Sequence, residues 1–229
     1  MCGRFNIISD PLTRLIMEIV NGELGSVELE TRYNIAPTEP IPVLLKTAEG
    51  AWDLKDMRWW LVPFWSDQPS TKYTMFNAKS ETLKSSRAFR EPFQRRRCII
   101  PASGYYEWSK QGNVKVPYHI TPQDEPGFVF AGLWDRWRGD DQVLDSCAIV
   151  TGDAPENMRD IHARIPIALS RKEIFQWLDL ESSEETLASV LASTLKMPVT
   201  ITPVSGYVGN SRNKDERCIE PLGETRVVK

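Results

Sequence analysis

Strand-forming segments follow one another between residues 97 and 151, and no helical pattern interrupts them. Residues 97–108, 116–121, 128–137 and 144–151 are rich in β-branched and aromatic residues, with Gly, Asn, Asp and Pro between them. Because parallel strands need long crossover connections, usually helices, this order predicts an antiparallel sheet or barrel and argues against a doubly wound α/β fold. Further strands are predicted at 2–8, 41–46, 53–62 and 199–204.

Helical patterns lie outside this run of strands. The clearest, residues 11–21, has Ser9 or Asp10 as its capping residue, carries one apolar stripe and ends at Asn21-Gly22. Further helices are predicted at 155–161, after a capping box at Ser170–Glu173, and from Ser182 to a stop at Pro198. No repeat, low-complexity tract or linker divides the chain, so we expect one α+β domain over residues 1–229.

Composition excludes several classes of protein. Eight Trp, eight Phe and six Tyr would leave too much apolar surface in water for a disordered chain. No apolar run approaches the roughly 20 residues that span a bilayer, and no signal peptide opens the chain, so a cytosolic protein is expected. The net charge of -3 argues against nonspecific binding of duplex DNA by a uniformly positive surface. A local basic groove is still compatible with this charge.

The cysteines and histidines show no metal-ligand spacing. None of Cys2, Cys98, Cys147 and Cys218 forms a C-x-x-C pair, and His119 and His162 are far from them in sequence. Cys98 and Cys147 lie in apolar strand-like segments, where a cysteine acts as a small buried hydrophobe. No metal is therefore expected.

Cys2 differs from the other cysteines because it follows the initiator Met. Removal of Met1, which a small second residue favours, leaves an α-amine and a thiol on one residue. Their ordinary pKa values are about 7.7–8.0 and about 8.5, so both are partly deprotonated near neutral pH. Arg4, on the same face of the predicted strand, would raise the thiolate fraction. Two chemistries stay open: attack on a carbonyl through sulfur, or condensation with an aldehyde to a thiazolidine ring.

Three further polar residues are candidate functional residues. For each of them there is an alternative interpretation in which the side chain has no role in the chemistry. His162, beside a cation and a predicted helix end, is either a protonated general acid or a surface residue. Glu107, between aromatic residues on a strand, is either solvated or a carboxylate in an apolar pocket with a raised pKa. Asn77 either orients a substrate oxygen or caps a following helix.

Two further features suggest nucleic acid binding. Arginines cluster at 87, 90 and 95–97, and aromatic residues cluster at 58–65. Arginines for phosphates and aromatic rings for base stacking are the components of a single-strand groove. A solvated charged surface and a hydrophobic core are the alternatives.

Taken together, these segments resemble the SRAP family (SOS response-associated peptidases, also called abasic site processing proteins). The matching segments follow in order from residue 2 to about 222. They are Cys2-Gly3-Arg4-Phe5, residues 32–38, 77–82, 97–102, 104–108, 117–118, 130–134 and 161–166, and a closing pair at 203–205 and 208–210.

The resemblance implies a single α+β domain with a mainly antiparallel, barrel-like core flanked by helices. It implies a protein that senses abasic sites in single-stranded DNA and crosslinks to them through Cys2 as a thiazolidine, with no metal or organic cofactor. A thiol (auto)peptidase using Cys2 and a noncatalytic reader of single-stranded DNA are the alternatives. The protein would be cytoplasmic, and associated with the nucleoid when bound to DNA.

The resemblance also implies residue roles. Cys2 would be the nucleophile, Glu107 and His162 the acid/base residues, and Asn77 a positioning residue, with Asn34 supporting the N-terminus. The DNA-binding residues would be Arg4, Lys79, Arg87 and Arg164 on phosphates, Pro37 and Trp108 as wedges, and Trp65 nearby.

Two positions depart from the family pattern. Lys79 stands where the family usually has Arg, which keeps the charge but loses the forked geometry that grips a phosphate. Trp60 stands where the family usually has Gly, and its ring either reshapes the DNA groove or fills a gap in the core. The role of Trp65 depends on which of these applies.

Overall fold

The computed structural model describes residues 2–70, 73–192 and 195–229. The α-helices are α1 (Ser9–Ile19), α2 (Arg90–Arg95), α3 (Arg171–Leu178) and α4 (Glu184–Ala192). The strands are β1 (Phe5–Ile7), β2 (Arg32–Ile35), β3 (Pro40–Lys46), β4 (Trp52–Trp59), β5 (Asn77–Lys79), β6 (Arg97–Ala102), β7 (Gly104–Gln111), β8 (Val114–Pro122), β9 (Phe128–Arg138), β10 (Val143–Asp153), β11 (Arg164–Pro166), β12 (Val199–Pro203) and β13 (Arg226–Val228).

A closed barrel forms the centre of the fold. β4, β3, β6, β9 and β10 pair antiparallel in that order, and β10 returns to β4 in parallel. Beyond residue 148, β10 is flanked by β5, in parallel, and by β11, antiparallel. The predicted α+β class and mainly antiparallel barrel-like core are therefore confirmed.

A second, antiparallel sheet packs beside the barrel in the order β13-β12-β8-β7-β1-β2. The prediction of one strand over 97–108 is wrong, because the chain leaves the barrel after β6 and enters this sheet as β7. Ser103 marks the change of sheet, and its hydroxyl accepts a hydrogen bond from the Ile8 amide at 2.7 Å. At the adjacent Gly104, a Cβ atom would lie 2.5 Å from His119 Nε2, so β7 and β8 can approach only with glycine there.

The helices differ from their predicted limits at the ends. α1 begins at Ser9 and is preceded by Ile8, with no side-chain cap, so the predicted capping role of Ser9 or Asp10 is wrong. The capping box at Ser170 is confirmed, since its amide donates to the Glu173 carboxylate at 3.0 Å. α4 ends at Ala192, before the predicted stop, and residues 193–194 lie outside the described residues. None of the described helices is long and apolar enough to cross a membrane.

Candidate active site

Cys2 lies just before β1 and is anchored by Asn77. The Asn77 side-chain amide donates to the carbonyl of Cys2 at 2.7 Å, and both residues are buried. Asn77 begins β5, so the alternative in which it caps a helix is wrong. The structure thus joins two predicted site residues that are 75 positions apart in sequence.

Glu107, on β7, lies close to Cys2. β7 pairs with β1 through Tyr105 and Phe5, and the amide of Tyr106 donates to the carbonyl of Arg4, which brings Glu107 beside the residues that precede β1. Glu107 is 3% exposed. Burial raises its pKa to about 7, because the ionised carboxylate loses its hydration. Of the two alternatives for Glu107, the structure excludes the solvated residue and favours the buried carboxylate with a raised pKa.

The Cys2 thiol is held in its protonated form. Burial raises the pKa of the thiol far above its usual range, and the charge of Glu107 raises it further. The Arg4 guanidinium does not counter this effect, because it donates to Asn34 Oδ1 at 3.0 Å and to the carbonyl of Val208 at 2.9 Å. The expectation that Arg4 increases the thiolate fraction of Cys2 is therefore wrong.

Asn34 joins the N-terminal strand to the C-terminal segment. It is fully buried on β2, where its Oδ1 accepts from Arg4. Its Nδ2 lies within hydrogen-bonding distance of the carbonyls of Val208, Asn210 and Asn213, at 3.2, 3.1 and 2.9 Å. Arg4, Asn34 and residues 208–213 therefore form one network behind Cys2. In this network, the Arg4 guanidinium is occupied by protein acceptors.

His162 lies in a loop that is tied to the strand of Glu107. The Ser109 hydroxyl on β7 donates to the carbonyl of Asp160 at 2.7 Å. His162 Nδ1 accepts from the amide of Arg164 at 3.0 Å when the neutral ring carries its proton on Nε2, and it lies 3.1 Å from the Arg164 carbonyl, to which a protonated ring can donate. Burial lowers the pKa of His162.

The predicted helix before His162 is wrong. Residues Glu156–Met158 form only a 3-10 turn, so no helix terminus acts on the ring. The prediction of a protonated imidazole rested on that helix end, and the lowered pKa of His162 points in the opposite direction.

Arg164 is enclosed by protein acceptors rather than open to solvent. Its guanidinium forms a forked ion pair with Glu81, at 2.6 and 2.9 Å, and a further contact with Asp153 at 3.1 Å. The ion pair holds the pKa of Glu81 down at about 2. Glu81 was not among the predicted site residues, although it lies in the segment 77–82 that carries the family resemblance.

The remaining predicted DNA-binding residues lie at the surface or near it. Lys79 is exposed at the end of β5, and the Arg87 guanidinium stacks over the Trp65 ring at 4.1 Å. Arg87 and Trp65 line a groove of about 660 Å³. Pro37 and Trp108 are half-buried, and Trp108 packs against the cluster of Tyr106, Val204, Val208 and Cys218.

Trp60 is half-buried. It lies against the main core, with its ring centroid 5.5 Å from that of Phe76. Of the two alternatives for this departure from the family pattern, the structure favours filling of the core. Trp65, in contrast, is 39% exposed and faces the groove with Arg87. Among the residues that the structure describes, no group of three or more His, Cys, Asp or Glu side chains is placed to hold a metal.

Known proteins are similar to this chain in sequence and in fold. Abasic site processing protein YedK of Escherichia coli (strain K12) is 33% identical over 97% of this chain and 100% of its own. Abasic site processing protein YoqW of Bacillus subtilis (strain 168) is 31% identical over 96% and 99%. A crystal structure of a protein from Bacteroides thetaiotaomicron matches with a TM-score of 0.80 and 26% identity, covering 96% of this chain and 100% of that one.

The family comparison agrees with these matches. The family model described as SOS response associated peptidase (SRAP) matches residues 1–211, which include all the predicted site residues. The chain therefore belongs to the SRAP family.

Proposed function

We propose that this protein captures abasic sites in single-stranded DNA by forming a covalent thiazolidine with Cys2 after Met1 has been removed. The observation that carries the proposal is the convergence on one buried site of Cys2, the amide of Asn77 and the carboxylate of Glu107, whose pKa is about 7. A free amine and a thiol on one residue are the two nucleophiles that convert an aldehyde into a thiazolidine. Relatives named abasic site processing proteins support the same substrate.

The first steps consume the aldehyde of the abasic sugar. The sugar is mostly a closed hemiacetal, and opening it moves the hydroxyl proton of the anomeric carbon into solvent and places a proton on the ring oxygen. The protonated form of His162 donates that proton from Nε2 and returns to the neutral ring, and a proton from solvent restores the protonated form. The neutral amine of Cys2 then attacks the aldehyde carbon, Glu107 accepts a proton from the amine, and loss of water leaves an imine.

Ring closure completes the crosslink. The thiol adds across the C=N bond, so that a carbon–sulfur bond forms and the thiol proton ends on nitrogen. Because amine and thiol belong to one residue, this step is intramolecular, and effective molarity can contribute several kcal/mol. Asn77 holds the Cys2 backbone in place for both steps.

The protonation state of Cys2 favours this chemistry over peptidase activity. A cysteine peptidase needs a thiolate as its first nucleophile. Burial keeps the Cys2 thiol protonated, which opposes that role. In the proposed reaction the amine makes the first bond, so a protonated thiol does not block the start of the reaction.

The groove of Arg87 and Trp65, together with the exposed Lys79, is the proposed path of the DNA strand. Cations for phosphates beside an exposed aromatic ring suit single-stranded DNA, because every base has a face that can stack. The groove lies on a protein of net charge -3, so binding of intact strands should be modest and fall with salt.

The test is intact mass spectrometry of the protein with single-stranded DNA that carries one abasic site. We expect a heat-stable adduct whose mass is the sum of the two molecules, without Met1, less one water. A strand with a tetrahydrofuran analogue, which has no aldehyde, should give none. Peptide cleavage without an adduct would support the peptidase alternative, and reversible retention alone would support the noncatalytic reader.

Replacing His162 with Ala should slow the capture of an abasic strand much more than the capture of a small open-chain aldehyde. The reason is that only the closed sugar needs a proton on its ring oxygen, and such general acids typically contribute about 10²–10⁴-fold in rate. Single-turnover assays with both substrates measure the two effects. Equal slowing with both substrates would exclude His162 as the general acid of ring opening.

A further inference from the structure

We propose that Glu81 is a specificity-determining residue, whose carboxylate competes with a DNA phosphate for Arg164 and so weakens the binding of undamaged strands. This inference rests on the proposed function, since it concerns the affinity of the same site for DNA. The resemblance assigns Arg164 to a phosphate but assigns nothing to Glu81.

The guanidinium of Arg164 already has a partner for each of its N–H groups. Arginine has five such donors. In Arg164, Nη1 donates to Glu81 and Asp153, Nη2 donates to Glu81 and to the carbonyl of Thr151, and Nε donates to the Thr151 hydroxyl at 3.4 Å. A phosphate can therefore bind Arg164 only if it displaces one of these acceptors.

Two carboxylates contact Arg164 and both are exposed, but it is Glu81 that makes the forked pair that a phosphate would reproduce. Its two oxygens meet Nη1 and Nη2 in the forked arrangement that two phosphate oxygens adopt with arginine. The Glu81 side chain is 52% exposed and that of Arg164 only 12%, so Glu81 can turn into solvent while Arg164 stays in place. Thr151 is fully buried on β10, and its carbonyl, 2.6 Å from Nη2, keeps the guanidinium anchored during the exchange.

The exchange costs free energy with every strand, damaged or not. An undamaged strand has only its phosphate and stacking contacts to offset the loss of the Glu81 pair. An abasic strand gains a covalent bond in addition, which holds it after the exchange. Glu81 therefore lowers the affinity for undamaged DNA without preventing capture.

The test compares Glu81→Gln with Glu18→Gln by noncovalent binding of undamaged, fluorescently labelled single-stranded DNA across a range of salt. Gln loses the charge and the forked pair. Glu18 is the matched control, because it is also exposed, pairs with an exposed arginine (Arg171), and loses the same charge. We expect Glu81→Gln to lower Kd by about 1.5- to fivefold, the scale of one partly exposed ion pair. Its salt slope should steepen by about 0.7, the value for one more phosphate contact on a single strand.

Two further variants show whether the gain acts through Arg164. Glu81→Asp keeps the competing charge and should bind close to wild type. Adding Arg164→Gln to Glu81→Gln should remove the gain. An unchanged or higher Kd for Glu81→Gln, an equal gain in Glu18→Gln, or a gain that survives without Arg164 would overturn the inference. Failure of the proposed function is distinguishable, because it appears as the absence of an adduct between wild-type protein and abasic DNA, which these binding assays do not use.

Discussion

Cys2→Ala is expected to abolish the heat-stable adduct with abasic single-stranded DNA and to leave noncovalent binding nearly unchanged. Alanine at the N-terminus keeps the α-amine, so the imine still forms. Without the thiol the imine cannot close to a thiazolidine, and water hydrolyses it on heating. The adduct should be completely absent in denaturing gel or intact mass measurements, because the other three cysteines lie inside the chain and have no free α-amine.

A reducing agent separates the two steps of this reaction. Borohydride converts an imine into a stable amine, so Cys2→Ala should give an adduct with borohydride and none without it. Cys98→Ala is the matched control, since Cys98 is also fully buried but lies in the barrel on β6. An adduct of undiminished yield and heat stability from Cys2→Ala, without borohydride, would rule out thiazolidine formation.

Glu107→Gln is expected to slow capture by about 10²–10⁴-fold, the usual contribution of a general acid–base residue. The amide has nearly the same shape but accepts no proton from the Cys2 amine. In the wild-type protein the pKa of Glu107 is about 7, so the carboxylate is mostly protonated at pH 6 and mostly ionised at pH 8. The wild-type rate should therefore rise with pH through about 7, and Glu107→Gln should lose that part of the profile.

The same substitution should stabilise the folded protein at high pH. In the unfolded chain Glu107 has an ordinary pKa of about 4.3, so between about pH 4 and 7 the unfolded state releases a proton that the folded state retains. Stability is therefore lost as pH rises through this window, and the cost is complete above pH 7. At pH 8 the Gln variant should exceed wild type by up to about 4 kcal/mol.

Denaturant unfolding at pH 4 and pH 8 measures this difference. The two proteins should differ little at pH 4, where Glu107 is protonated in both states. A Gln variant that is slower and also less stable than wild type at pH 8 would show that Glu107 is ionised and favourably paired in the free protein. In that case its burial would not be the dominant effect on its pKa, and the pH profile would need another assignment.

Lysine at position 79 and tryptophan at position 60, the two departures from the family pattern, have different consequences in the structure. Lys79 remains exposed beside the site, so its effect on phosphate binding stays a prediction. Trp60 is half-buried and packs against the core beside Phe76. The direction of a large side chain depends on which elements pack around it, which the local sequence does not specify.

The antiparallel character of the fold was accessible from the sequence, and so was the reactive group that we propose. Strand alternation and turn residues are local properties, so the order of the strands in residues 97–151 predicted the sheet type. The amine and thiol of Cys2 share one residue, and their chemistry needs no neighbour to be recognised. The sequence did not show that the chain changes sheet at Ser103, because an unbroken strand pattern does not reveal which sheet each of its halves joins.

The electrostatics of the site were decided by the tertiary structure alone. The pKa of Glu107 and that of the Cys2 thiol are raised by burial, and burial is created by β1, β5 and β7, which are distant in sequence. The partners of Arg4 and Arg164 likewise come from residues up to 205 positions away. A charged side chain in the sequence shows what it can bind, whereas only the packed chain shows which acceptors already occupy it, because hydration and hydrogen bonds depend on neighbours in space.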